Sequence, residues 1–251
     1  FSLVIGFYMA AMGVGSYISR LISDDRLLPY FIFAEICLGL VGGLCVPLLY
    51  FSFAYFDYFQ TTVILLTSIV GILIGLEVPL LSRLMSPYFS LKDNISNILS
   101  VDYLGALIAT LLFPFLLLPF LGIFKTSLFF GLVNMSIGFA VLWFFSETLK
   151  LEKKRILYLY SFFSLTLLIT VFIFAQKFLS IWTGELYSDR VIYAKETPYQ
   201  QIVMTKNKKD LRLFLNGNLQ FSSIDEYRYH ETLVHVPMLN CDCRNILLLG
   251  G

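Results

Sequence analysis

Leu28-Pro-Tyr-Phe-Ile-Phe-Ala-Glu-Ile-Cys-Leu-Gly-Leu-Val-Gly-Gly-Leu-Cys-Val-Pro-Leu-Leu-Tyr-Phe-Ser-Phe-Ala-Tyr55 holds one ionisable acid, Glu35, and no base. A helix needs about 20 mainly apolar residues to span a hydrocarbon core, and this run exceeds that. Five more stretches share the pattern: Phe1–Ile22, Thr61–Met85, Leu99–Leu121, Ile123–Phe145 and Ile156–Phe178. Polar breaks separate them, among them Ser23 to Arg26, Asp57 to Gln60, Ser86 to Ser96 and Ser146 to Arg155. The expectation is an α-helical membrane bundle of about six transmembrane helices over residues 1–179.

Composition agrees with that expectation. The chain is 58% hydrophobic and 14% charged, where a soluble domain carries about a quarter charged residues. A net charge of +1 leaves no broad basic field for nucleic acid. Cys37 and Cys45 lie in an apolar segment and read as packing residues. Cys241 and Cys243 have no second Cys or His pair nearby, so no metal is expected. The plain reading of these cysteines is free thiols in a reducing compartment.

Glycines within the apolar runs point to close helix contact. Gly39 with Gly43, and Gly71 with Gly75, each form G-x-x-x-G, and Gly13 and Gly15 mark a tight spot in the first run. Small residues let apolar helices approach closely. Pairing inside the bundle is the plainer reading; a homo-oligomer interface is the other. Glu35, Glu77 and Asp102 sit at or near membrane depth, where an ionised side chain costs at least about 2.5–3.5 kcal/mol. Val78-Pro79 follows Glu77, and proline frees a carbonyl one turn back. One reading pairs these acids with Arg20, Arg83 or tyrosine hydroxyls; the other makes them a polyamine or proton site.

Lys and Arg counts orient such a chain. Arg20, Arg26, Arg83, Lys92, Lys150, Lys153, Lys154 and Arg155 fall in one set of alternate loops, Lys125 in the other. The rich set should face the cytoplasm, which with six crossings puts the residues after Phe178 outside.

The period changes after Ser188. Arg190–Ala194, Tyr199–Thr205, Leu211–Leu215 and Leu219–Phe221 alternate as strands do, and Asn216-Gly217 is a hairpin turn signal. Ser223 and Glu226 have capping-box spacing, so a helix is expected over Asp225–Val234, stopping before Pro237. Arg244-Asn-Ile-Leu-Leu-Leu-Gly-Gly251 reads as a strand entering a glycine turn. The domain boundaries expected are 1–179 for the helices, 185–240 for a small β-rich domain, and 244–251 for the first strand of a truncated Rossmann-like α/β domain of methyltransferase type. Both ends of the chain read as cut.

Six pieces then fall in order: Pro198-Tyr-Gln-Gln-Ile202, Leu215-Asn-Gly-Asn-Leu-Gln220, Asp225-Glu226, Tyr229-His-Glu231, His235-Val-Pro237 and Ile246-Leu-Leu-Leu-Gly-Gly251. Together they resemble the amino-terminal part of spermidine synthases, the polyamine aminopropyltransferases. Phe1-Ser-Leu-Val-Ile-Gly6, Ala11-Met-Gly-Val-Gly15, Gly75-Leu-Glu-Val-Pro-Leu-Leu81, Asp102-Tyr-Leu-Gly-Ala106 and Phe113-Pro114 resemble the multi-helix domain fused ahead of some bacterial members. The resemblance implies transfer of an aminopropyl group from decarboxylated S-adenosylmethionine, a co-substrate, to putrescine. Spermidine and methylthioadenosine are the products, with no cofactor or metal.

By the same resemblance, Gln200 and Gln220 contact the nucleoside-bearing substrate, and Tyr229 and His230 line the polyamine channel. The catalytic acids are expected beyond Gly251, so the 251 residues alone are expected to be inactive. The expected location is the cell (inner) membrane, multi-pass. There the cytosolic origin of the substrate argues for a cytoplasmic tail, against the charge count. Three rivals stand beside this: a polyamine transporter or sensor with a degenerate transferase-like module, a membrane-tethered methyltransferase-like enzyme, and a plain anchor.

Overall fold

Small residues set the first helix pair. In a computed structural model, which describes residues 2–197, 199–239 and 245–247, helix α1 (Ser2–Ser19) buries Ala11, Gly15 and Ser19, one turn apart each. This stripe meets α3 (Phe59–Met85), which buries Gly71 and Gly75. A Cβ added at Gly15 would lie 2.1 Å from the Ile72 carbonyl oxygen, and one at Gly75 would lie 2.1 Å from that of Met12. Gly13 has nothing within 4 Å, so Gly15 alone carries the tight spot. Helix α2 (Leu27–Tyr55) meets α5 (Leu118–Phe144) in the same way. There a Cβ on Gly131 would come 2.5 Å from the Gly43 Cα and 2.6 Å from the Gly39 oxygen. Both G-x-x-x-G pairs are thus occupied by partners within the unit.

Around these contacts lies an apolar core of Ile32 and Ile36 from α2, Leu128, Met135 and Leu142 from α5, and Leu168 from α6 (Leu151–Ile173). Helix α4 (Leu91–Leu112) begins earlier than the polar break at Ser86 to Ser96 suggested. Ser90 caps it, its hydroxyl oxygen accepting from the Asp93 amide at 3.2 Å, which satisfies one of the amides a helix start leaves open. A π-helical segment, Phe113–Leu117, leads into α5, and Gly122 at φ 71 breaks the helical run. The apolar run expected to reach Phe178 turns at Phe174 and restarts as α7 (Ala175–Glu185). On α7, Trp182 stacks on Phe178 and packs edge-on to Phe51.

The remaining described residues form a separate unit, Leu186 onward. Its sheet is antiparallel in the order β1 (Arg190–Glu196), β2 (Gln201–Lys206), β3 (Leu211–Leu215), β4 (Asn218–Ser222). The β3–β4 turn has Asn216 at φ 51 and Gly217 at φ 79, the two positive values a tight hairpin of this kind requires. Gly217→Ala should therefore cost roughly 1–2 kcal/mol through its left-handed backbone, read as a lower thermal midpoint with unchanged circular dichroism.

The expected fold class needs correction. The structure is a mainly helical unit joined to one four-stranded antiparallel sheet, not a bundle of six established crossings leading to a Rossmann-like strand. Among the described residues five helical stretches are long and apolar enough to cross a membrane, by length and composition only. Apolar length states what a helix tolerates around it and does not itself place it in lipid. Of the expected strand at 244–251, Asn245–Leu247 belong to no strand, and the other positions lie outside the described residues, as do Cys241 and Cys243.

Two local expectations also change. Ser223 does not cap a helix; its hydroxyl donates to Asp210 at 3.1 Å and accepts from the Leu211 amide at 2.9 Å. After it comes a π-helical turn, Tyr227–Glu231, and then α8 (Thr232–Met238), which runs through Pro237 instead of stopping before it.

Candidate functional site

Gln200 lies not in a strand but in the turn between β1 and β2. Thr197 closes this turn, its hydroxyl donating to the Gln200 carbonyl at 2.7 Å and accepting from the Gln200 amide at 3.0 Å. The Thr197 amide also donates to the Gln200 carbonyl, at 3.0 Å. The turn is tied to the next hairpin, since the Gln201 amide donates to the Asn216 side chain at 2.9 Å. Its backbone anchored on both sides, Gln200 presents a half-buried side chain.

Gln220 is placed by an irregularity. On β4, Phe221 pairs with Leu213 and Leu219 pairs with Phe214, so Gln220 is the extra residue of a β-bulge. Bulges re-aim a side chain away from the regular alternation, and Gln220 is exposed. Strand pairing puts Gln200 at the end of the sheet that carries the β1–β2 and β3–β4 turns, and Gln220 at the middle of β4. No hydrogen bond joins them among the described residues. Tyr229 and His230 fall in the π-helical turn after β4; their side chains lie outside what the structure describes.

The opposite end of the sheet holds a polar clamp that sequence reasoning missed. Asp210, 4% exposed, accepts from Arg212 Nε at 2.5 Å, Ser222 Oγ at 3.0 Å and Ser223 Oγ at 3.1 Å. Arg212 also donates to Asp189 at 3.0 Å. Burial alone would raise the Asp210 carboxyl. The hydrogen bonds from Arg212, Ser222, Ser223 and the Ile224 backbone outweigh it and hold the group below its ordinary 3.8. The signal was the Asp210-Leu-Arg212 spacing, which puts both side chains on one strand face. Burial raises the Tyr187 hydroxyl, whose ring packs on Phe214 at 4.7 Å.

In the helical unit, Glu35 from α2, Glu77 from α3 and Asp102 from α4 line one cavity of about 620 Å³, with Asn94, Asn97 and Asn134. The expected arginine partners are engaged elsewhere. Arg83 donates to the Ser19 carbonyl at 2.8 Å and the Ile22 carbonyl at 2.7 Å, and pairs with Asp24. Arg20 bonds the Tyr17 hydroxyl and lies over that ring. None of the three carboxylates has a hydrogen-bond or ion-pair partner among the described residues. The amides of Asn97 and Asn134 belong to this cavity and were not foreseen, because neither is unusual in its own helix.

Comparison with known proteins adds the next observation. A polyamine aminopropyltransferase of Leptospira interrogans is 44% identical over all of this chain and 50% of its own length. Polyamine aminopropyltransferase 2 of Ralstonia nicotianae is 40% identical, again over all of this chain and 50% of itself. The chain is similar along its whole length to polyamine aminopropyltransferases. A further protein of that name, from Mycobacterium tuberculosis, is 34% identical over all of this chain and 49% of itself. The chain thus spans about half the length of the curated relatives it matches. No family model matches, and no solved structure does. The aminopropyltransferase likeness runs through the helical unit as well as the sheet, so the cavity and the two glutamines belong to one shared stretch.

Proposed function

We infer that the protein carrying this chain is a polyamine aminopropyltransferase of the spermidine-synthase kind. The observation that carries the reading is identity of 34–44% over the entire chain to proteins of that name. Putrescine and decarboxylated S-adenosylmethionine are the proposed substrates. In the transfer, a neutral amine nitrogen of putrescine attacks the aminopropyl carbon beside the sulfonium. The C–N bond forms as the C–S bond breaks, methylthioadenosine leaves with the electron pair, and the new ammonium gives up a proton. The sulfonium is already an activated leaving group, so the protein's work is to align the two reactants and keep one amine unprotonated.

In this reading Gln200 and Gln220 bind the nucleoside-bearing substrate. An amide offers donors and acceptors to a cationic co-substrate without adding charge. A turn bonded on both sides and a bulge are fit to hold such groups. Tyr229 and His230 serve the diamine. The test is methylthioadenosine release by the purified protein, with and without putrescine. Amine-dependent release is expected, and Gln200→Ala or His230→Ala should lower it about 10- to 100-fold, the loss of one hydrogen bond to a charged group. Release that no diamine stimulates, from folded protein, would refute the reading.

The proposal includes a location in the cell membrane, multi-pass, with the helical unit against lipid. Its support is apolar surface: Phe115, Phe120 and Phe162 are each more than 70% exposed, far beyond isolated surface apolar residues. The sheet unit is placed on the cytoplasmic side, where its substrate is made, which requires that α6, with Lys153, Lys154 and Arg155 in its first turns, does not cross the membrane. Single cysteines at Lys208 and Lys125 should react with an impermeant thiol reagent from opposite sides of sealed vesicles; equal access from one side would overturn this topology. Self-association of two copies remains part of the proposal only through surfaces other than the G-x-x-x-G pairs, which are engaged within the unit.

A further inference from the structure

Glu35 is 7% exposed, lines the 620 Å³ cavity, and has no hydrogen-bond or ion-pair partner among the described residues. A buried carboxylate in that condition is costly unless something else meets it. It is joined there by half-buried Glu77 and, at the open side of the cavity, exposed Asp102, contributed by two other helices, while Asn134 comes from a fourth. No Lys or Arg lines this space, so the site has one sign of charge. Its acids are not gathered for a metal ion among the described residues.

Between the acids the wall is hydrocarbon: Phe31, Val78, Leu81 and Ile98 among others. A small inorganic cation gains nothing from such a wall, since its partners are oxygens. An aliphatic chain with an ammonium at each end satisfies both features, its methylenes against the apolar wall and its ammonium groups on carboxylates and amide oxygens. We propose that the cavity bounded by α2, α3, α4 and α5 is a binding site for an alkyl diammonium ion, with Glu35, Glu77 and Asp102 as its charge partners. This site is separate from the transferase reading, which places its substrates on the sheet unit.

The test uses the whole protein in lipid nanodiscs. An apolar carboxyl reagent, N,N′-dicyclohexylcarbodiimide, is applied, and modification of Glu35 is followed by peptide mass spectrometry. Saturating 1,4-diaminobutane should slow this modification about tenfold or more, and 1-aminobutane should protect less. Glu77→Gln and Asp102→Asn should each weaken the protection about tenfold. Modification that proceeds equally with and without diamine would overturn the site, as would equal protection by sodium chloride.

If Glu35 resists the reagent, equilibrium binding of radiolabelled 1,4-diaminobutane decides. Glu35→Gln should then lose one bound equivalent per chain, and an unchanged stoichiometry overturns the proposal. Amine-dependent methylthioadenosine release without protection at Glu35 would sink this site alone. Protection without release would leave it standing and sink the transferase reading.

Discussion

Gly75→Val is expected to abolish recovery of folded protein. The first added carbon would sit 2.1 Å from the Met12 carbonyl oxygen and 2.8 Å from the Met12 Cα. Those are backbone atoms, so no rotamer change relieves the overlap. Helix α1 would have to move bodily from α3, opening the contacts at Gly15 with Ile72 and at Gly71 with Ala11. Overpacking typically costs 1–3 kcal/mol where side chains can shift. Here the cost should be at least about 3 kcal/mol, a large part of the roughly 5–15 kcal/mol that keeps a protein folded. Fluorescence-detected size exclusion in detergent reads the outcome as loss of the monodisperse peak. Gly105→Ala is the control, because nothing lies within 4 Å of an added Cβ there. An undiminished peak for Gly75→Val would mean that α1 and α3 do not cross at these glycines.

Asp210→Ala is expected to loosen the sheet from its β2–β3 end. The carboxylate is the common acceptor for Arg212, Ser222 and Ser223, and its loss leaves Arg212 with Asp189 alone. Amide exchange at Leu211 and Ser223, which bond to each other across β3 and the end of β4, should speed about tenfold or more. Asp210→Asn should fall between, keeping the shape without the charge. The wild type carries the same contribution as a pH effect. The folded carboxyl titrates below its ordinary 3.8, so its contribution is complete above that value and is lost as pH falls through the depressed one. Exchange at these two amides, taken relative to the intrinsic rate at each pH, should therefore speed up on acidification below about pH 4 in the wild type. In Asp210→Ala it should show no such step.

Local pattern and reach decided what was legible in the sequence. Long apolar runs with few charges forced helices, because only a helix satisfies its own backbone inside an apolar setting. Their centres were readable, while their ends depended on caps such as Ser90 and on the break at Phe174. Period-two alternation with Asn216-Gly217 forced the hairpin and hence its neighbours in the sheet. The ordered pieces from Pro198 onward carried the likeness to aminopropyltransferases, which whole-chain identity then supported.

Other features depend on residues far apart in the chain. Capping-box spacing suggested a helix start at Ser223, yet its hydroxyl turned to Asp210, thirteen positions earlier; a buried carboxylate in need of donors outcompetes a local cap. Gln220 became a bulge residue only through the register of β4 against β3. Arg83 was a candidate partner for Glu77 by sequence, but the geometry between α1 and α3 commits it to the carbonyls of Ser19, at the end of α1, and of Ile22 just beyond it. That choice left Glu35, Glu77 and Asp102 facing a shared cavity without a cation. Each acid was visible along the chain; their convergence was not, because helix packing alone sets which faces of four separate helices meet.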